Sequence, residues 1–224
     1  MKIGIYGGTF NPIHYGHLRT AEEVLEKLSL DKVLFVPAGK TPFEKPEMVK
    51  ALHRFNMVKA AITGNPHFEI SDIEIKTKGK SFTINTIMKL KDKFVDSKLY
   101  FILGTDAFLD LPHWKHPDRI VNLANIVIIA RPGFAFTGLS SSPYLKKVSK
   151  KILKDLDKGV IDRFPFGISE KQKAILCKVT GLDISASNIR NLIMSGKNVK
   201  YLLPDSAESY IIAHKLYKKV GAIR

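Results

Sequence analysis

The chain has 224 residues, 45% hydrophobic and 25% charged, with 36 Lys and Arg against 21 Asp and Glu for a formal charge of +15. That size and balance suit one sizeable folded core and exclude a disordered or membrane-spanning chain: no apolar run reaches spanning length, and the opening MKIGIYGG lacks the apolar core and cleavage site of a signal peptide. The single Cys177 excludes an internal disulfide and a multi-cysteine zinc site, and fits a reduced, cytoplasmic setting; the positive excess suits anionic partners.

KIGIY (2–6) reads as a short buried strand. Residues 15–28 read as an amphipathic helix with Leu18, Ala21, Val24, Leu25 and Leu28 on one face. KVLFV (32–36) is a second strand, stopped by Pro37 and followed by a polar loop and a helix over about 49–63. HFEISDIEI alternates and predicts a third strand over 68–75. TINTIMKLKDKF is helical, and LYFILG (99–104) is an apolar run ending in glycine, as a central parallel strand should be. A helix over about 117–123 and the strand NIVIIA (125–130) follow. From 134 to about 173 regularity lapses, and this stretch reads as a loop-rich, partly helical insertion within a single domain, 1–224. AILCKV (174–179) is the last strand, and helices over about 186–195 and 205–217 close the chain. Strands alternating with helices predict an α/β fold: a Rossmann-like, doubly wound parallel sheet with helices on both faces and a small C-terminal helical portion.

GIYGGTFNPIHYGHL (4–18) concentrates the chemistry. It lies where a strand gives way to a helix, the place at which open α/β sheets bind ligands. Free N–H groups and the helix dipole favour an anion there. Gly7 and Gly8 let the backbone approach a phosphate closely, and Thr9 adds a hydroxyl. Zinc does not suit the turn: His14 and His17 are three apart rather than four, with no further ligands in sequence. A G-x-G-x-x-G dinucleotide fingerprint is absent.

GGTFNPIHYGH resembles the Gly-x-Phe-x-Pro-x-His-x-Gly-His signature of the HxGH nucleotidyltransferase superfamily. The resemblance implies attack of an acceptor phosphate on the α-phosphorus of a nucleoside triphosphate, with pyrophosphate leaving. Such chemistry rests on positioning and charge stabilisation, because the nucleophile is already an anion. It assigns Gly7, Gly8, Thr9, Phe10, His14 and His17 to the triphosphate, with Mg²⁺ carried on ATP and no metal site on the protein. DISASNIR (183–190) resembles the second signature and puts Ser187 and Arg190 on the β- and γ-phosphates; Thr9, His14, His17 and Arg190 are then the catalytic set. LGTD (103–106) matches the family's Gly-x-Asp, so Gly104 and Asp106 would hold the ribose; as a bare pattern Asp106 could equally cap a helix.

KSFTINTI and LPHWKHP narrow the resemblance to the bacterial nicotinate mononucleotide adenylyltransferases. By that resemblance Thr83 contacts the pyridine substituent, Trp114 stacks on the ring and Phe82 lies beside them. The chain departs from the pattern at Asn11, where Asp is frequent, at Phe82, where Tyr is usual, and in the loop KTPFEK, where Lys40 and Lys45 are candidates for the mononucleotide phosphate. The expected partners are ATP and nicotinate mononucleotide, with homo-oligomerisation open and no membrane. Two other readings stand beside this: the same chemistry on nicotinamide mononucleotide or pantetheine phosphate, or a basic nucleic-acid-binding protein.

Overall fold

One seven-stranded sheet organises the chain. In the computed structural model, which describes residues 1–41 and 47–218, the strands are β1 (Lys2–Gly8), β2 (Lys32–Pro37), β3 (Phe68–Ile70), β4 (Lys98–Gly104), β5 (Asn125–Ile129), β6 (Arg163–Gly167) and β7 (Lys173–Cys177). Their order is β3-β2-β1-β4-β5-β7-β6, and every neighbour is parallel except β6, which runs antiparallel to β7. The chain winds outward from β1 to β3, then returns to β4 on the other side of β1 and winds the opposite way. The crevice beyond β1 and β4 is therefore the topological switch point.

The helices are α1 (Tyr15–Leu28), α2 (Ala51–Ile62), α3 (Thr83–Lys93), α4 (Thr105–Asp110), α5 (Pro117–Leu123), α6 (Lys150–Lys158), α7 (Ala186–Met194) and α8 (Asp205–Ala213). Successive strand residues point to opposite faces. Leu34 and Val36 pack with Ile84, Ile87 and Leu90 of α3, whereas Val33 and Phe35 pack with Val24 of α1 and Met57 of α2. Both faces are covered, which is why the strands read as continuous apolar runs rather than alternating ones.

Three elements differ from the sequence reading. The strand predicted over 68–75 ends at Ile70. Ser71 N still donates to Phe35 O (2.9 Å), but Lys76 N then bonds Asp72 O (2.9 Å) and Ile73 N bonds Ser71 Oγ (3.4 Å). Short polar side chains here offer the backbone a turn in place of a ladder. The 134–173 stretch contains, besides α6, an edge strand; Pro165 sits within it, which an edge position allows. The helix α4, between the expected strand and the Pro-rich segment, had no periodic signal because it is only 6 residues long.

Glu23 of α1 is 4% exposed and fastens the far side of the sheet. It accepts from Thr180 N (3.0 Å), just after β7, and from Arg19 Nε (2.7 Å). Burial pushes its carboxyl up, but the bonds from Thr180 and Arg19 outweigh that and hold it below the ordinary 4.5. A depressed carboxyl contributes stability above its unfolded value that is lost as pH falls through the folded one. Glu23→Gln should therefore cost about 1–3 kcal/mol at pH 7. In urea titrations the gap between wild type and variant should narrow as pH is lowered from about 5 towards 3.

Candidate active site

At the end of β1 the chain turns through Gly7, Gly8 and Thr9, and Phe10 adopts a left-handed φ of 47°. Phe10 is buried, and its ring stands edge-on to Tyr6 at 5.7 Å and to His17 at 5.1 Å. The turn delivers His14 as N-cap of α1. His14 N donates to His17 Nδ1 (3.3 Å), which leaves the proton of a neutral His17 ring on Nε2. The two imidazoles are 3.7 Å apart between centroids, tilted by 34°. Burial, helped by the Arg131 charge, pushes His14 down to about 4. Burial, then His14 and Arg131, push His17 well below its ordinary value. Both rings are neutral at pH 7.

Gly16 explains itself in this geometry. A Cβ there would sit 3.0 Å from His14 Nδ1 and 3.1 Å from His14 Cε1. Gly104 is the counterpart at the end of β4, where a Cβ would run into Asp106 Oδ1 and stand 2.7 Å from Arg131 Nε. Asp106 is the second residue of α4, whose cap is Gly104, so the capping alternative for Asp106 falls away. Asp106 Oδ1 is buried without a hydrogen-bond partner, while Oδ2 faces Arg131 Nη1 at 3.5 Å.

A cavity of about 590 Å³ opens between these two strand ends. Gly7, Gly8, Thr9, Phe10, His17, Gly104 and Arg131 line one part of it; Phe82, Thr83, Trp114 and Lys115 line another. Its size suits a nucleotide-sized ligand. Trp114 is half-buried, its indole N–H donating to Asp110 Oδ2 (3.0 Å) and its ring tilted against Phe101 at 6.3 Å. Phe82 caps α3, and the Lys115 ammonium lies 4.6 Å from its ring centroid. A phenyl face thus carries a cation where the family's phenol would carry a hydroxyl.

Not every expected residue lines this cavity: His14, packed against His17, and Asp106 do not. Ser187 and Arg190 lie on α7, where Ser185 is the cap and accepts from Asn188 N (3.1 Å), leaving Ser187 Oγ beside Arg190 Nη2 (3.4 Å). Arg190 Nη1 donates to Asn11 O (2.9 Å). Lys40 is exposed, with its backbone bridged to Lys80, and stands outside the lining. Lys45 lies outside the described residues.

Several residues escaped the sequence reading. Arg131 supplies positive charge to the cavity. Asn11 is a junction: its Oδ1 accepts from Tyr217 Oη (2.8 Å) and Val49 N (3.3 Å), and its Nδ2 donates to Glu47 O (3.2 Å). That donor is what an aspartate at position 11 would lack. Glu74, delivered by the turn after β3, accepts from Thr86 Oγ1 (2.7 Å) and Gly39 N (3.3 Å) at the cavity wall.

Glycine turns at the switch point, paired imidazoles at a helix start and one cavity joining them to an aromatic wall define a nucleotidyltransferase. The cytidylyltransferase-like family model matches residues 5–192, and the chain belongs to that family. Within it the chain groups with the nicotinate-nucleotide adenylyltransferases. It is 40% identical to a probable nicotinate-nucleotide adenylyltransferase of Geotalea daltonii, over 97% of this chain and 98% of the relative. It is 41% identical to the one of Roseiflexus sp., over 96% and 98%. The fold matches the solved Plasmodium falciparum nicotinic acid mononucleotide adenylyltransferase complexed with NaAD at a TM-score of 0.67, with 22% identity over 96% of this chain and 97% of that one.

Two measurements check the site. A ring-proton NMR titration should place His14 near pH 4 and show no His14 or His17 transition between about pH 6 and 7, where exposed histidines titrate. Gly16→Ala should displace the His14 ring and lower kcat by about 10², the scale of a misplacement near 1 Å, in a protein that still folds.

Proposed function

We propose that the chain transfers AMP from MgATP to nicotinate mononucleotide, giving nicotinate adenine dinucleotide and pyrophosphate. A phosphate oxygen of the mononucleotide attacks the α-phosphorus; the bond from that phosphorus to the bridging oxygen of the β-phosphate breaks. No proton has to move, so the protein's work is to align two anions and offset their charge. One observation carries the reading: the neutral His17, its Nδ1 already engaged, presents an Nε2–H to the same cavity whose other wall is Phe82, Thr83 and Trp114. The reacting phosphates and the acceptor ring share one enclosure.

Gly7, Gly8 and Thr9 bring backbone N–H groups and a hydroxyl to the triphosphate. Ser187 and Arg190, on α7 outside the cavity lining, are assigned to its β- and γ-phosphates by the likeness of DISASNIR to the second signature. Asp106 Oδ1, buried and unpartnered, suits a ribose hydroxyl donor. Mg²⁺ would travel with ATP, held by phosphate oxygens and water, and would supply positive charge to the triphosphate. Among the described residues no helix is long and apolar enough to cross a membrane. A cytoplasmic setting agrees with Cys177, whose thiol burial pushes up to about 11 and so keeps unreactive.

His17→Ala removes a preorganised donor and should lower kcat by about 10²–10³ while leaving the fold intact; near-normal turnover would remove His17 from the mechanism. For the acceptor, N–H donors at the start of α3 and the Lys115 ammonium favour a carboxylate over an amide. An amide would turn its own NH₂ on one donor and leave it unpaired, at about 1–3 kcal/mol, or roughly 5–150-fold in kcat/KM. Pyrophosphate release measured with both mononucleotides and with pantetheine phosphate checks this. Equal rates for nicotinate and nicotinamide forms would remove the acceptor assignment and leave the nucleotidyl transfer in place.

A further inference from the structure

Arg54 of α2 is 1% exposed and has no carboxylate within ion-pair distance among the described residues. A buried, unpaired guanidinium would be very costly unless its donors are met. They are met by backbone carbonyls on three separate segments. Nη1 donates to Thr9 O (2.7 Å), in the glycine turn after β1. Nη2 donates to Ala38 O (2.5 Å) and Gly39 O (3.1 Å), just after β2. Nε donates to Val49 O (3.2 Å), at the entry to α2.

The two loops it joins are the two that must be held in register for transfer. Thr9 and Ala38 both line the cavity, and Ala38 N bonds Gly8 O (2.8 Å) across them. Gly39 is fixed from the other side by Glu74, its N–H on Oε2 at 3.3 Å, and a Cβ there would stand 2.7 Å from Ser81 Oγ. Glu74 in turn holds Thr86, on the helix that starts at Thr83. A chain of polar contacts thus runs from the triphosphate turn through Arg54, Gly39 and Glu74 to the acceptor helix, without Arg54 itself entering the cavity.

We propose that Arg54 is a positioning residue for the transfer step: its planar fork sets the triphosphate turn at Thr9 against the acceptor side at Ala38–Gly39. This rests on the reaction inferred above. A lysine in its place keeps the charge but not the fixed spread of donors, so it cannot hold both loops in one geometry. Misalignment near 1 Å falls on the rate of transfer rather than on ground-state affinity for either substrate alone.

The test is steady-state kinetics of Arg54→Lys and Arg54→Gln with MgATP and nicotinate mononucleotide, alongside thermal unfolding and calorimetric binding of ATP alone. The expected result is a fall in kcat of about 10–100-fold, with KM for each substrate and the Kd for ATP within about threefold of wild type. The lysine variant should be the less impaired. Folded variants with near-wild-type kcat, or with unchanged kcat and a raised KM, would overturn the proposal. So would failure of both variants to fold, which would make the role structural. The wild-type arm separates the reaction from the residue. No pyrophosphate release with any acceptor removes both. Release with another acceptor alone reassigns the acceptor, and the Arg54 comparison is then made on that one.

Discussion

The candidate site hangs on two stacked imidazoles, His14 buried and His17 half-buried at the cavity wall. His14 and His17 face each other at 3.7 Å, and at that distance neither can ionise without charging the other's surroundings. Burial and the nearby Arg131 settle the matter in favour of two neutral rings. A neutral ring has one donor and one acceptor, so its hydrogen bonds decide what it can do. His17 gives its acceptor to the backbone of His14, which leaves its proton on Nε2, and the ring lines the cavity. Fixed positive charge comes instead from Arg131, held beside Asp106. A dipolar donor with a cation to one side suits the proposed reaction, in which charge shifts between oxygens.

That arrangement requires close approaches that only glycine permits. Gly16 leaves room for the His14 ring, and Gly104 leaves room for Asp106 and Arg131. Gly16 lies in the first turn of α1, the helix that follows β1, and Gly104 ends β4; the winding reverses between the carboxyl ends of these two strands. The sheet fixes those ends by parallel pairing along β1, from Lys2 opposite Lys98 to Tyr6 opposite Ile102. Backbone register, rather than any flexible loop, therefore sets the spacing between the glycine turn after β1 and the Gly104–Asp106 segment after β4.

The central strands β1, β2, β4, β5 and β7 and both signature turns could be read directly, because each is local: an apolar run, a glycine pair, a histidine spacing. Arg54 could not. By pattern it is an arginine on a helix, where a surface position is the ordinary expectation. Its partners are carbonyls at Thr9, Ala38, Gly39 and Val49, and a carbonyl leaves no mark on a sequence. Glu74 was hidden for another reason. The alternation of DIEI imitates a strand, but Ser71 and Asp72 divert the backbone into a turn that carries Glu74 to the cavity wall. The edge strand β6 was obscured by Pro165, which argues against a strand everywhere except at an edge. The loop that was expected to hold the acceptor phosphate falls partly at 42–46, outside the described residues.

The departures from the family pattern have physical counterparts in the structure. Asn11 uses its amide donor on Glu47 O and its acceptor on Tyr217 and Val49, so the exchange of a carboxylate for an amide gains a contact to the segment that precedes α2. Phe82 loses a hydroxyl but offers its face to Lys115, which brings a cation to that part of the cavity wall. The charge of +15 can be read in the same terms. Part of the lysine is neutralised locally, as in Lys32–Glu69, Lys76–Asp72 and Lys200–Asp205. The remainder gives the surface a positive field, and both proposed substrates are anions. Such a field raises encounter rates with phosphorylated small molecules and weakens with salt. The basic surface and the lined cavity thus point to the same class of ligand, and the charge needs no nucleic acid to account for it.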